Sequence, residues 1–235
     1  MMRRGQFLAL CAASALGGCQ VVEPVWQIFA SETGKANEMF VKPLRTTTFV
    51  TWNLRGVRDV APVAAAVASA GADFAALLEA PGGEALAARA RAAGLVPSEA
   101  DGVALLSRAA PLGVRTLPLA RPNAALLVAD FPDCRIGVGR LAPDERACAE
   151  AVRALRALFV PDRPFFLAGD WAGGGPPAPA AVRALRGPFA LLSGAACDGG
   201  GFVAVSRRHR ARFEHVAHDR LPSAVGPRPV VVRVR

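Results

Sequence analysis

FVTWNLRG, residues 49–56, decides how this chain reads: a run of apolar and β-branched residues ends on a single amide, Asn53. Two later phrases repeat the device, DFAALLEA at 73–80 ending on Glu79 and FFLAGDW at 165–171 ending on Asp170. Short apolar runs bounded by turn residues read as buried strands. In an open α/β sheet the carboxyl ends of adjacent strands are where ligands and metals are held. Asn53, Glu79 and Asp170 are therefore the candidate site residues. A carboxylate closing a run such as FAALL needs a cation, an arginine or several donors beside it, and Arg55 or Arg108 would serve without any metal.

The segments between the three phrases set the fold. APVAAAVASAG at 61–71 predicts a helix stopped by Gly71, and GEALAARARAAG at 83–94 an amphipathic helix ending at Gly94. GVALLSR, GVRTLPL, NAALLVADF and RIGVGRL then follow one another between 102 and 141 with short turns, the pattern of consecutive antiparallel strands. PDERACAEAVRALRALF at 143–159 predicts a helix, with Pro and acids opening it and arginines following. After FFLAGDW come a Gly- and Pro-rich loop at 172–181, a short helix around AAVRALRG, and strands at 189–193, 202–206, 212–217 and 229–234. This mixture of crossovers and meanders predicts an α/β fold, a four-layer sandwich of two packed mixed β-sheets flanked by helices, starting near Thr46.

The chain has 235 residues, a formal charge of +9 and 52% hydrophobic residues, a globular composition. Its first residues, MMRR, then FLALCAASAL, then LGGC at 16–19, run charged, apolar, small, which reads as a secretory signal too short to span a bilayer. LGGC resembles a bacterial lipoprotein box. That resemblance implies a signal peptide at 1–18, lipidation of Cys19, a tether at 19–45 and a folded domain at 46–235. With Gln20 after the cysteine it also implies an outer-membrane lipoprotein facing the periplasm, partnered to the membrane through its lipid. The alternative is that Cys19 is an ordinary small residue of a signal peptide.

Lys35 and Lys42 are the only lysines, so the positive charge is nearly all arginine. Such a surface attracts nucleic acid, phosphorylated molecules or anionic lipid without choosing among them. The densest cluster, SRRHRAR at 206–212, reads as a solvated strand end or turn, with His209 exposed. Cys134, Cys148 and Cys197 match no zinc spacing; a disulfide between Cys134 and Cys148 and small buried thiols both stay open.

The order of these phrases resembles the endonuclease/exonuclease/phosphatase superfamily over residues 46–235. The resemblance implies that Asn53 and Glu79 hold Mg²⁺ or Mn²⁺, that GVALLSRAAP at 102–111 is a structural strand, and that Asp170 is the base toward water. The same comparison exposes departures. Ala172 stands where the family has an Asn, Arg140 where a strand ends in His, and Gly201 where an Asp precedes a late strand. Gly226 and Pro227 replace a C-terminal Asp and His. EHVAHDR at 214–220 offers His218 and Asp219 as substitutes for that pair; on a strand, His215 and His218 would face opposite sides. Two function classes follow. One is an impaired, pseudoenzyme-like binding or interaction module for a phosphate-containing ligand or an envelope protein. The other is an active metal-dependent phosphoesterase or nuclease in which arginines such as Arg140 stabilise charge.

Overall fold

A computed structural model describes residues 46–81, 83–119, 125–172, 177–193, 201–213, 215–220 and 229–235. The signal, tether and Cys19 readings, Cys197, Gly226 and Pro227 lie outside the described residues. Twelve strands form two six-stranded sheets among the described residues. The first sheet contains β1 (Thr47–Asn53), β2 (Phe74–Leu78), β3 (Val96–Ala100), β4 (Val103–Ser107), β11 (His215–Arg220) and β12 (Val230–Val234), in the order β11-β12-β1-β2-β4-β3. The second contains β5 (Gly113–Pro118), β6 (Ala125–Asp130), β7 (Arg135–Leu141), β8 (Phe165–Trp171), β9 (Phe189–Leu191) and β10 (Phe202–Ser206), in the order β5-β6-β7-β8-β10-β9.

Each sheet has one parallel pair at its centre, β1 with β2 and β7 with β8, and is otherwise antiparallel. Parallel neighbours need a crossover. Helix α1 (Ala61–Ser69) lies between β1 and β2 in the chain, and α3 (Glu145–Arg156) between β7 and β8. Helix α2 (Glu84–Ala92) follows β2, and α4 (Pro179–Arg186) follows β8. The Asp144 side chain caps α3 by accepting from the Ala147 amide at 2.9 Å, which supplies a partner to one of the unpaired amides of the first turn.

Strand alternation divides the apolar residues among three layers. Phe49, Leu78, Leu105, Leu127, Val138, Phe166 and Val232 meet between the sheets. Val50, Trp52 and Leu77 face α1 and α2, while Leu167, Trp171 and Phe202 face α3 and α4. Two packed mixed sheets flanked by helices are thus the architecture expected from the sequence.

Four local points complete or correct the sequence reading. VPSEA at 96–100 forms strand β3, a partly exposed edge on which Pro97 is tolerated. Asp101 and Gly102, with φ of +42° and +77°, turn it into β4 as a two-residue hairpin loop. The arginine cluster forms a 3-10 helix over Arg207–Arg212, so the following strand begins at His215 and not at 212. His209 in that helix is buried, 2% exposed, with Nδ1 2.7 Å from Ser206 Oγ and Nε2 2.9 Å from the Pro161 carbonyl oxygen. Finally, of the two readings left open for Cys134 and Cys148 the structure shows the buried thiols: both are free and buried, with no bond between them.

Candidate functional site

The four parallel strands deliver their carboxyl ends to one place. On β1 the inward-facing series Phe49 and Thr51 continues to Asn53; on β8 Phe166 and Ala168 lead to Asp170; on β7 Ile136 and Val138 lead to Arg140. Alternation alone would turn Glu79 outward, because Leu78 faces inward. Glu79 has instead a left-handed backbone, φ +49°, which breaks the alternation at the strand end.

The approach of β7 to β8 depends on glycine. Gly139 pairs with Gly169, and a Cβ on Gly169 would lie 2.1 Å from the Gly139 carbonyl oxygen. The next register pair is Arg140 with Asp170, so the close backbone contact sets the guanidinium beside the carboxylate.

Asn53, Glu79 and Asp170 converge as their strand-end positions imply. Asn53 Nδ2 donates to Asp170 Oδ2 at 2.5 Å and to Glu79 Oε1 at 3.3 Å, and its Oδ1 accepts from the Arg55 amide at 2.8 Å. Arg140 completes the group, with Nε donating to Asp170 Oδ1 at 3.1 Å and Nη2 lying 2.8 Å from Glu79 Oε1. Arg55 Nε is more distant, 3.9 Å from Glu79 Oε2. Arg108, the other partner considered for Glu79, donates to the Ala72 carbonyl instead.

Asp170 is 2% exposed with both oxygens occupied. Burial raises its pKa above 3.8 and the nearby Glu79 adds to the rise; Arg140 and the Asn53 hydrogen bond act against it. Arg140 was expected at a strand end as a replacement for His. Its simultaneous grip on both acids was not legible, because it depends on the β7–β8 register.

The remaining positions divide. Ala172 follows β8, its backbone amide donating to the Leu141 carbonyl at 2.8 Å, and has no side-chain amide to offer. Gly201 sits against Thr51: a Cβ there would approach the Thr51 side chain to 2.5 Å, so a larger side chain would collide with β1. Thr51 Oγ1 in turn donates to the Gly169 carbonyl at 3.3 Å. His218 and Asp219 lie on β11 opposite Val232 and Val231, with β12 between their strand and β1. A cleft of about 240 Å³ beside Ala80 is lined partly by Glu99 and Asp101, whose charge would repel a phosphate.

The sequence profile of the Endonuclease/Exonuclease/phosphatase family matches residues 50–171, the stretch that carries Asn53, Glu79, Arg140 and Asp170. The chain belongs to this family. Solved structures of the same fold include an endonuclease/exonuclease/phosphatase from Beutenbergia cavernae, 19% identical, with 81% of this chain and 72% of that one covered and a TM-score of 0.61. A family protein from Leptotrichia buccalis is 11% identical, with 80% and 99% covered and a TM-score of 0.57. ANGEL2, a 2′,3′-cyclic phosphatase, is 10% identical, with 82% and 96% covered and a TM-score of 0.60. At these identities the likeness extends to the fold alone. No curated protein sequence matches the chain.

The family generally uses divalent metals, and the donor set here does not fit one. Mg²⁺ requires near-octahedral oxygen ligands at about 2 Å, usually one or two carboxylates plus waters. Asp170 Oδ1 and Oδ2, Glu79 Oε1 and Asn53 Oδ1 already accept hydrogen bonds from Arg140, Asn53 and the Arg55 amide, which a cation would have to displace or share. Only Glu79 Oε2 is loosely engaged, and Arg55 is its neighbour. A dication would also have to sit beside the guanidinium it competes with, a repulsion that grows as water is excluded. Among the described residues no group of three or more His, Cys, Asp or Glu is placed to hold a metal.

Proposed function

We propose that this chain is a catalytically silent member of its family, a cell-envelope lipoprotein whose domain acts as a binding or interaction module. The observation that carries the reading is Arg140, whose guanidinium bonds both Glu79 and Asp170. In a phosphoesterase the acids must be free to hold a cation and orient water. Here the arginine supplies the positive charge internally, and two acids with Arg140 and Arg55 form a locally neutral set. Asp170 is buried, with a hydrogen bond on each oxygen, so an attacking water has little approach to it, and an in-reach geometry is the first requirement of a general base.

The envelope location rests on MMRR, FLALCAASAL and LGGC, with Cys19 as the lipidated residue. No helix among the described residues is long and apolar enough to cross a membrane. The ligand class is a phosphate-bearing group or an envelope protein.

The test is turnover by the purified full chain with Mg²⁺ or Mn²⁺ on DNA, phosphodiesters and phosphomonoesters. Background rates are expected, unchanged in Glu79→Gln. Vigorous hydrolysis abolished by Glu79→Gln would restore the metal-dependent phosphoesterase reading. Cys19→Ala should release the chain from the membrane fraction, and retention there would remove the lipoprotein assignment.

A further inference from the structure

The end of the sandwich opposite the site carries a concentration of arginine that the site chemistry does not use. Strand β10 runs antiparallel to β8, so it carries the chain away from Asp170 to Ser206, whose Oγ accepts from the Phe165 amide at 3.2 Å. The 3-10 helix then presents Arg207, Arg208, Arg210 and Arg212 at that end. Helices α3 and α4 leave the site ends of β7 and β8 and finish there too, with exposed Arg156 and Arg186 in their last turns.

These charges are held without being cancelled. Arg207 donates to the carbonyl oxygens of Arg186, Gly187 and Phe189, Arg210 to that of Phe213, and Arg212 to that of Asp162 at 3.5 Å. Carbonyls fix the guanidiniums while remaining neutral. Of the described acids at this end, Asp130 is matched by Arg115, Arg135 and Arg163 and Asp73 accepts from the Thr48 amide, which leaves Asp133 and Asp162 against the arginine cluster.

Two further observations favour a lipid surface over nucleic acid. The cluster surrounds apolar groups: Val160 is 39% exposed, and Arg208 lies over the Phe159 ring at 5.8 Å. Basic side chains around apolar ones suit the headgroup boundary, where stems and rings bury and charges reach phosphate. In addition, the chain enters the domain at this same end. β1 starts at Thr47, with Phe49 tilted against Phe166 at 4.7 Å, and Phe213, at the exit of the 3-10 helix, meets that ring edge-on at 5.0 Å. In the lipoprotein reading the tether that precedes Thr46 is residues 19–45, starting at Cys19.

We infer that the arginine-rich end formed by the 3-10 helix and the last turns of α3 and α4 docks on an anionic phospholipid bilayer, turning the Arg140 end away from the membrane. The inference extends the envelope reading and rests on it. An anchor holds the chain near a bilayer, whereas the arginines fix which face meets it.

The test compares amide hydrogen exchange of the full chain in vesicles of phosphatidylcholine alone and of phosphatidylcholine mixed with phosphatidylglycerol. Exchange in 156–163 and 207–213 should slow only with phosphatidylglycerol, and high salt should reverse the effect. The triple variant Arg156→Gln, Arg186→Gln, Arg208→Gln should weaken this docking by roughly two orders of magnitude. The salt reversal on the unmodified chain reads the same contact if the variant folds poorly. Equal exchange in both vesicles, with the chain retained by both, would overturn docking and leave anchoring intact. A chain retained by neither would overturn both. Slowing that survives the substitutions, or protection of these segments by duplex DNA and not by phosphatidylglycerol, would also overturn the inference.

Discussion

At the scale of single residues, Arg140 bridges a strand-end acid pair and, with Arg55 beside Glu79, balances its charge. Arg140→Gln would remove the ion-pair partner of the buried Asp170 and leave Glu79 with the more distant Arg55. Loss of one partner of a fully buried pair costs about 3–5 kcal/mol. Because Arg140 and Glu79 are each 26% exposed at the side chain, a loss of about 2–3 kcal/mol is expected from denaturant unfolding, with solvent screening the remainder. Asp170 also predicts a pH dependence. Its folded-state pKa is raised above 3.8, so the native state binds the proton more readily than the unfolded state, and the ionisation penalty is relieved as pH falls through the folded value toward 3.8. The stability difference between the unmodified chain and Asp170→Asn should therefore move in favour of the unmodified chain over that window; an unchanged difference would contradict the burial argument. Asn53, Glu79 and Asp170 were legible because each ends an apolar run. The capture of both acids by Arg140 was not, since neither register nor guanidinium reach is written in local sequence. The left-handed turn at Glu79 was equally hidden, as glutamate carries no signal for it.

At the scale of elements, glycines and buried polar groups decide how strands meet. Gly169→Ala would drive a methyl group into the Gly139 carbonyl, since backbone cannot yield as a flexible side chain can. A loss of about 3 kcal/mol or more is expected from thermal or denaturant melting, together with separation of Arg140 from Asp170. The 3-10 helix predicts a second pH effect. Burial lowers the His209 pKa below 6.5, assisted by Arg208 and Arg212 and opposed by the Pro161 hydrogen bond and Asp162. Its contribution is present above pH 6.5 and is lost as pH falls through that value toward the folded pKa, so replacing His209 by Gln should flatten stability across this interval. Cys134 and Cys148 are pushed up to about 12 and about 11, chiefly by burial. Neither should alkylate at neutral pH until the chain is unfolded; rapid native labelling of either would refute their packing. Helices α1 to α3 were readable from periodicity and their end signals. Strand β3 was hidden by Pro97 and Glu99, residues uncommon in central strands, and the 3-10 helix by arginines that looked like a solvated turn.

At the scale of the molecule, two sheets with central parallel pairs place four strand ends together and leave the opposite end to the returning helices. The sequence made this architecture legible because buried crossover strands and antiparallel meanders leave different apolar patterns, and only two packed mixed sheets accommodate both. Which end would gather arginine was not legible, since it depends on where β10, α3 and α4 finish. In this molecule Arg140 fills the cationic role in the strand-end site. The most direct measurement is a Mn²⁺ titration of the purified full chain followed by electron paramagnetic resonance, with Glu79→Gln in parallel. No saturable site and identical curves for the two proteins are expected. One stoichiometric Mn²⁺ site, weakened or lost in Glu79→Gln, would contradict this role of Arg140.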